Sequence, residues 1–253
     1  MARTALRGRL TWRLGTVAEL RDETPRVRTI ALDLPEWPGH LPGQHVDVRL
    51  TAADGYQTER SYSIASPPEQ ERLELTVERL EDGEVSPYLV GELRRDDRLE
   101  LRGPIGGYFV WSALAGDDSP LLLIAGGSGV VPLMSMVRHR AAAARRPPTR
   151  LLYSARALDD VIYHDELDRL AAAGDGLEVV ETLTGTPPAG WTGPARRIDG
   201  RMLADVAWPP AARPAVFVCG PTALVEAVAH DLVELGHEPG RIRTERFGPT
   251  GGG

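Results

Sequence analysis

Thr58-Glu59-Arg60-Ser61-Tyr62-Ser63-Ile64-Ala65-Ser66 is the stretch on which the reading of this chain turns, and Pro67-Pro68 follow it at once. A strand sends alternate side chains to opposite faces, so Arg60 and Tyr62 point one way and Ser63 the other. One short strand thus offers a cation for phosphate, an aromatic ring for a flat ring system, and a hydroxyl or backbone donor for a polar edge. A flavin needs all three. Taken alone, an Arg-x-Tyr-Ser strand is ordinarily just a strand, so the weight falls on what surrounds it.

Working outward, Asp54-Gly55 reads as a hairpin turn and Pro42-Gly43-Gln44 as a turn feeding the strand before it, which puts Arg60 to Ser63 on the return strand. From Trp12 to about Trp111, short apolar runs alternate with Pro, Gly and Asp, the texture of a small antiparallel barrel. Gly83-Glu84-Val85-Ser86 precedes a short helix. A flexible glycine before free helical N–H groups suits an anion such as a pyrophosphate; a plain N-cap by Ser86, with Pro87 at the first helical position, is equally well written there. Arg98 to Trp111 predicts a strand, a Gly103-Pro104 turn, and Gly106-Gly107 before an aromatic strand, the two glycines marking a bulge or the close approach of a ring. Residues 112–119 are small and acidic and make the expected boundary, giving a barrel domain over 1–113 and a second domain over 114–253.

Beyond Pro120, strands alternate with helices, which implies a parallel sheet covered on both faces with ligands at the carboxyl ends of its strands. Three segments fall at those ends. Gly126-Gly127-Ser128-Gly129-Val130-Val131-Pro132 lets the main chain approach a pyrophosphate at a helix N-terminus, although it departs from GxGxxG. Ser154 and Arg156 close the second strand, where hydroxyl plus arginine suits a 2′-phosphate and so NADPH; Arg156 paired with Asp159 or Asp160 is the ordinary alternative. A lone cysteine after a buried strand is usually a small hydrophobe, but in Cys219-Gly220-Pro221-Thr222 the Gly-Pro-Thr opens a helix at the ligand edge, which sets Cys219 against the nicotinamide. The last strand-like run ends in Glu245 and Phe247, followed by a tail over 248–253 expected to be mobile.

Composition narrows the function classes. The net charge of -7 argues against a nucleic-acid binder. No apolar run reaches the roughly 20 residues of a membrane span and no signal-peptide core follows the Arg-rich start, so a cytoplasmic protein without membrane insertion is expected. The single cysteine excludes a disulfide or a Cys-ligated iron–sulfur cluster within this chain. All basic residues are arginine, so Schiff-base and Walker-lysine chemistry are absent. The six histidines show no metal-ligand spacing, and no metal is expected.

As an ordered set, RSYS, GEVS, GPIGG, GGSGVVP, SAR and CGPT resemble the ferredoxin–NADP reductase superfamily, in particular its bacterial oxidoreductases without an iron–sulfur domain, from about Trp12 to Phe247. The resemblance implies an antiparallel β-barrel FAD-binding domain followed by an α/β parallel-sheet NAD(P)-binding domain, with FAD as cofactor and NADPH or NADH as substrate. By position it implies that Arg60 binds flavin phosphate beside Ser61, that Tyr62 packs on the isoalloxazine and that Ser63 bonds its N5 region. Gly83, Val85 and Ser86 would hold the pyrophosphate. Gly126, Gly127, Ser128, Gly129 and Pro132 would shape the nicotinamide-nucleotide pocket, Ser154 and Arg156 would read its adenosine end, and Cys219, Gly220 and Pro221 would line the hydride path. Glu245 and Phe247 would close the flavin edge. Ser63, Cys219 and Glu245 are the expected catalytic residues. Two departures stand out: Leu183-Thr184-Gly185 lacks the arginine that many relatives carry after Thr, and the plant-type terminal tyrosine is missing.

The expected activity is transfer of hydride from NAD(P)H to flavin N5, with electrons leaving for a separate acceptor such as a ferredoxin or another redox protein. A reductase of free flavin or ferric chelates, and a flavin-binding subunit without turnover, are the rival readings.

Overall fold

The computed structural model describes residues 10–52, 54–113 and 119–247. Most of the expected boundary segment and the whole of the expected mobile tail lie outside them.

Six strands build the first unit: β1 (Trp12–Thr24), β2 (Val27–Asp33), β3 (His45–Thr51), β4 (Gln57–Ser63), β5 (Leu73–Glu78) and β6 (Arg98–Ile105). They pair antiparallel in the order β4-β3-β6-β1-β2-β5. The two end strands then meet through an Ile64–Leu75 bridge and an Ala65 N–H to Glu74 carbonyl bond of 2.8 Å, which close the sheet into a barrel. Alternation decides what fills it: on β3, Val46 and Val48 are fully buried while His45, Asp47 and Arg49 face out. The six-residue helix α1 (Ser86–Gly91) adds Leu89 and Val90 to this core.

The second unit is a parallel sheet of β7 (Leu121–Gly126), β8 (Thr149–Ala155), β9 (Leu177–Leu183), β10 (Ala215–Pro221) and β11 (Ile242–Phe247), ordered β11-β10-β7-β8-β9. Strand β7 is buried on both faces, hence its unbroken apolar run. Leu121 and Leu123 pack with α2 (Val130–Ala142) and α3 (His164–Ala172). Leu122 and Ile124 pack with α4 (Gly200–Val206) and α5 (Thr222–Glu234) on the other side. Chain order reverses between β7 and β10, and a crevice opens beyond the carboxyl ends of strands at such a switch point.

Two local expectations need correction, and one helix start has a local cause. Residues 108–111 form no strand; their bonds go elsewhere, with Trp111 N–H on the Pro42 carbonyl and Arg243 donating to the Val110 carbonyl at 2.5 Å, while Phe109 packs edge-on against Phe217 of β10. Gly103-Pro104 is not a turn, because β6 runs straight through it with Gly103 set against Val46. Helix α3 begins at His164, because Tyr163 takes a left-handed φ of 64° and turns its ring inward.

Candidate active site

On β4 the alternation read from the sequence divides the side chains as the strand geometry requires. Arg60 lies exposed beside Glu84, donating to its carboxylate at 3.2 Å and to the Glu59 carbonyl at 2.7 Å. Glu84 also accepts from Thr58 at 3.1 Å and Tyr56 at 3.4 Å, so an anion already collects the donors of this corner. Tyr62 is half-buried against the barrel core, and burial pushes its hydroxyl up to about 12. Ser61 faces the opposite way and donates to Asp47 at 2.7 Å.

Gly83, Val85 and Ser86 adjoin this corner, but not as an N-cap. Ser86 is already inside α1, and its hydroxyl accepts from the Leu80 N–H at 3.0 Å, tying back the turn before the helix. Val85 is buried, so the segment offers a ligand its backbone and not its side chains.

Between the carboxyl ends of β7 and β10 lies a crevice of about 630 Å³, lined among others by Gly126, Gly127, Ser128, Ser154, Arg156, Pro221 and Phe247. Its walls are main chain in close approach. A Cβ on Gly129 would stand 2.2 Å from the Cys219 carbonyl oxygen, and one on Gly220 would stand 3.2 Å from the Gly126 nitrogen. Gly129 opens α2, with Pro132 buried in its first turn, so the positive end of a 13-residue helix looks into the crevice. Backbone at van der Waals distance and a helix N-terminus are what a pyrophosphate requires.

At the outer end of the crevice Ser154 is nearly buried and Arg156 exposed. The alternative for Arg156, an ion pair with Asp159 or Asp160, is not formed among the described residues. Arg197, from the loop before α4, lines the same crevice; it too is exposed, and among the described residues neither arginine forms a salt bridge. Sequence reasoning missed Arg197, since a lone arginine in a polar loop carries no pattern; the absent arginine after Thr184 was the only hint that a cation had to come from elsewhere.

The two units meet at Ser63. Its hydroxyl donates to Glu245 Oε1 at 3.5 Å across 182 residues of sequence. Glu245 lies beside Cys219 in the parallel β10–β11 register, and Phe247 beside Pro221. Burial pushes the Glu245 carboxyl up to about 7, partly offset by the Ser63 hydrogen bond. Cys219 is 1% exposed and its thiol is pushed up by burial and by Glu245, so it stands there as a neutral, compact wall. The three expected catalytic residues are thus gathered at one junction. Among the described residues no cluster of metal-ligating side chains forms, and no helix is long and apolar enough to cross a membrane.

Residues 15–110 match the family described as an oxidoreductase FAD-binding domain, and residues 123–230 the one described as an oxidoreductase NAD-binding domain. The chain is 34% identical over 233 residues to the glycine betaine monooxygenase reductase subunit of Pseudomonas aeruginosa, a match covering 90% of this chain and 62% of that protein. The chain thus spans less than two thirds of that relative. It is 33% identical over 239 residues to ferredoxin–NADP reductase B of Sorangium cellulosum, covering 90% of this chain and 94% of the relative. Among solved structures, a cytochrome P450 reductase of Amycolatopsis superposes with a TM-score of 0.82 at 28% identity, covering 95% of this chain and 71% of that one. A closed barrel, a parallel sheet with a crevice at its switch point, and a shared junction carry the same message as these matches: the chain belongs to the ferredoxin–NADP reductase superfamily of FAD- and NAD-binding oxidoreductases.

Proposed function

We propose that this protein is an FAD-dependent NAD(P)H oxidoreductase that hands electrons to a separate acceptor, a ferredoxin or an oxygenase component. The observation that carries the reading is the meeting of Ser63 and Glu245, one from the barrel and one from the parallel sheet, two residues along β11 from the crevice-lining Phe247. The names of the relatives point the same way, being reductase components and a ferredoxin–NADP reductase. A cytoplasmic setting and a division into units 1–113 and 114–253 belong to this reading.

The residues present fit the groups. Arg60, together with the backbone of Gly83 to Ser86, offers donors for the FAD phosphates, and the crevice, with Gly126 and Gly127 in its lining, offers a dinucleotide close approach to main chain. FAD, when bound, supplies acceptance of two electrons and their release one at a time. The chain supplies position. Tyr62 would give the flat ring a wall, and the Ser63 hydroxyl would give its polar edge a donor. Cys219, buried and neutral, would set no charge against a nicotinamide bound beside it. Glu245, poised near neutrality, holds or releases a proton at Oε1 beside Ser63 Oγ. Phe247 lines the crevice and would screen the outer edge of a bound ring from water. Arg156 and Arg197, both without a carboxylate partner, favour the 2′-phosphate of NADPH over the bare ribose of NADH.

The test is anaerobic stopped-flow reduction of the FAD-loaded protein with NADPH and NADH in parallel. Rapid bleaching with NADPH preferred is the expected result. Preference for NADH would discard the roles of Arg156 and Arg197 and keep the reductase, while no bleaching with either would discard the reductase itself.

A further inference from the structure

One helix face fastens the two seats together. Seven residues beyond Ser128, which donates to Glu78 at 2.7 Å, Ser135 donates to the Ser66 carbonyl at 2.7 Å. Three residues further, Arg138 donates to the Ala65 carbonyl at 2.9 Å. These spacings place all three on one side of the helical run that begins at the crevice. The carbonyls they hold lie two and three residues beyond Ser63.

Arg138 is the centre of this joint. Its side chain is 10% exposed, and its guanidinium spans both units. Nε and Nη2 clasp Glu166 of α3 at 2.9 and 2.6 Å, while Nη1 serves the Ala65 carbonyl and, at 3.2 Å, Glu74 of β5. The Tyr163 ring lies 4.9 Å below the guanidinium carbon and its hydroxyl donates to Thr76 of β5, so the start of α3 is anchored to the barrel as well. Two units could be glued by apolar contact at less cost, since burying an ion pair contributes little net stability. What a planar cation with a bidentate partner contributes is direction: it holds only one arrangement of α3, β5 and residue 65.

We propose that Arg138 is a positioning residue, which sets the register of Ser63 against the nicotinamide crevice by holding the Ala65 carbonyl and Glu166 in one plane. The proposal rests on the functional reading above, for Ser63 must face the flavin. Transfer between bound rings is steeply sensitive to displacements of about 1 Å, so a loosened joint costs rate before it costs binding.

The experiment compares FAD-loaded wild type with Arg138→Gln, Arg138→Lys and Glu166→Gln. Three quantities are read: the single-turnover rate of flavin reduction, the long-wavelength charge-transfer absorbance on titration with oxidised nucleotide, and hydrogen–deuterium exchange at residues 64–66. Arg138→Gln should keep its flavin and its nucleotide affinity, reduce about tenfold or more slowly, lose charge-transfer absorbance and exchange faster at 64–66. Arg138→Lys should not restore it, because a point charge cannot span both partners. Glu166→Gln should show the same pattern, weaker, and decides the matter alone if Arg138→Gln does not fold. Unchanged rate and absorbance in Glu166→Gln, or full rescue by lysine, would overturn the proposal. A wild type that gives neither bleaching nor a charge-transfer band would instead overturn the functional reading, and the exchange measurement would still report on the joint.

Discussion

The two seats of this molecule are built by opposite means. The proposed flavin seat on β4 is made of side chains on an antiparallel edge strand, exposed, and held by carboxylates such as Glu84 that can be exchanged one at a time. The dinucleotide crevice is made of main chain, with Gly129 and Gly220 packed against neighbouring backbone and an α-helix aimed into the gap. Side-chain sites respond to substitution by degrees, since a lost charge-assisted bond costs about 1.5–3 kcal/mol and leaves the strand standing. Backbone sites respond by failing, because there is nowhere for an added atom to go.

That contrast can be broken by four measurements. Gly129→Ala should have the largest effect: its Cβ would fall 2.2 Å from the Cys219 carbonyl, destabilising the protein by about 3 kcal/mol in urea denaturation and abolishing reduction by either nucleotide. Full stability in that variant would show the crevice to be more compliant than its backbone walls suggest. Arg60→Ala should come next, with flavin affinity down about 10–100-fold on dialysis and little change in melting temperature. Its companion Ser63→Ala should retain flavin and slow reduction about tenfold; equal flavin loss in both would erase the division between a phosphate ligand and a ring ligand.

The third concerns pH. The Glu245 carboxyl lies at about 7 in the folded protein against 4.5 as its ordinary value, so the folded state binds the extra proton. Its contribution is therefore greatest below about 4.5 and is lost as pH rises toward 7. Glu245→Gln should flatten the stability profile across that window, and an unchanged slope would place the titrating group elsewhere. The smallest effect is expected of Glu84→Gln, which releases the exposed Arg60: flavin affinity should rise about two- to fivefold, the scale of a surface ion pair. A fall would make Glu84 a ligand and not a competitor.

What was legible in the sequence follows from range. The hairpin at Asp54-Gly55 and the opposed faces of β4 depend on neighbours a few residues apart, and a two-residue period suffices to read them. The parallel sheet was legible from the alternation of strand-like and helical runs beyond Pro120, again a pattern of near neighbours. Glu245 could be named by resemblance, but its place beside Cys219 depends on the register of two parallel strands joined through α5, and no local pattern encodes that. The cap reading of Ser86 could not be told from the other in sequence, because a serine before proline and a helix has the same sequence whether its hydroxyl turns forward to the helix or back to Leu80. The aromatics at 108–111 resemble a strand by composition, and only the presence of Pro42 and Arg243 beside them explains why they are not one. Arg138 and Arg197 gave no signal at all. Single arginines on a helix and in a loop acquire meaning only from the carbonyls, carboxylates or crevice that the fold brings to them.

The last strand carries a consequence for how the protein comes into being. Because β11 brings Glu245 to a serine made 182 residues earlier, the junction is the least local part of the molecule. Folding follows synthesis from the N-terminus, so the barrel and the central strands can form while the chain is still growing. The carboxylate that joins the two proposed seats is therefore in place only once β11 has paired with β10 at the sheet edge, so a chain that has folded its barrel and central strands still lacks the junction.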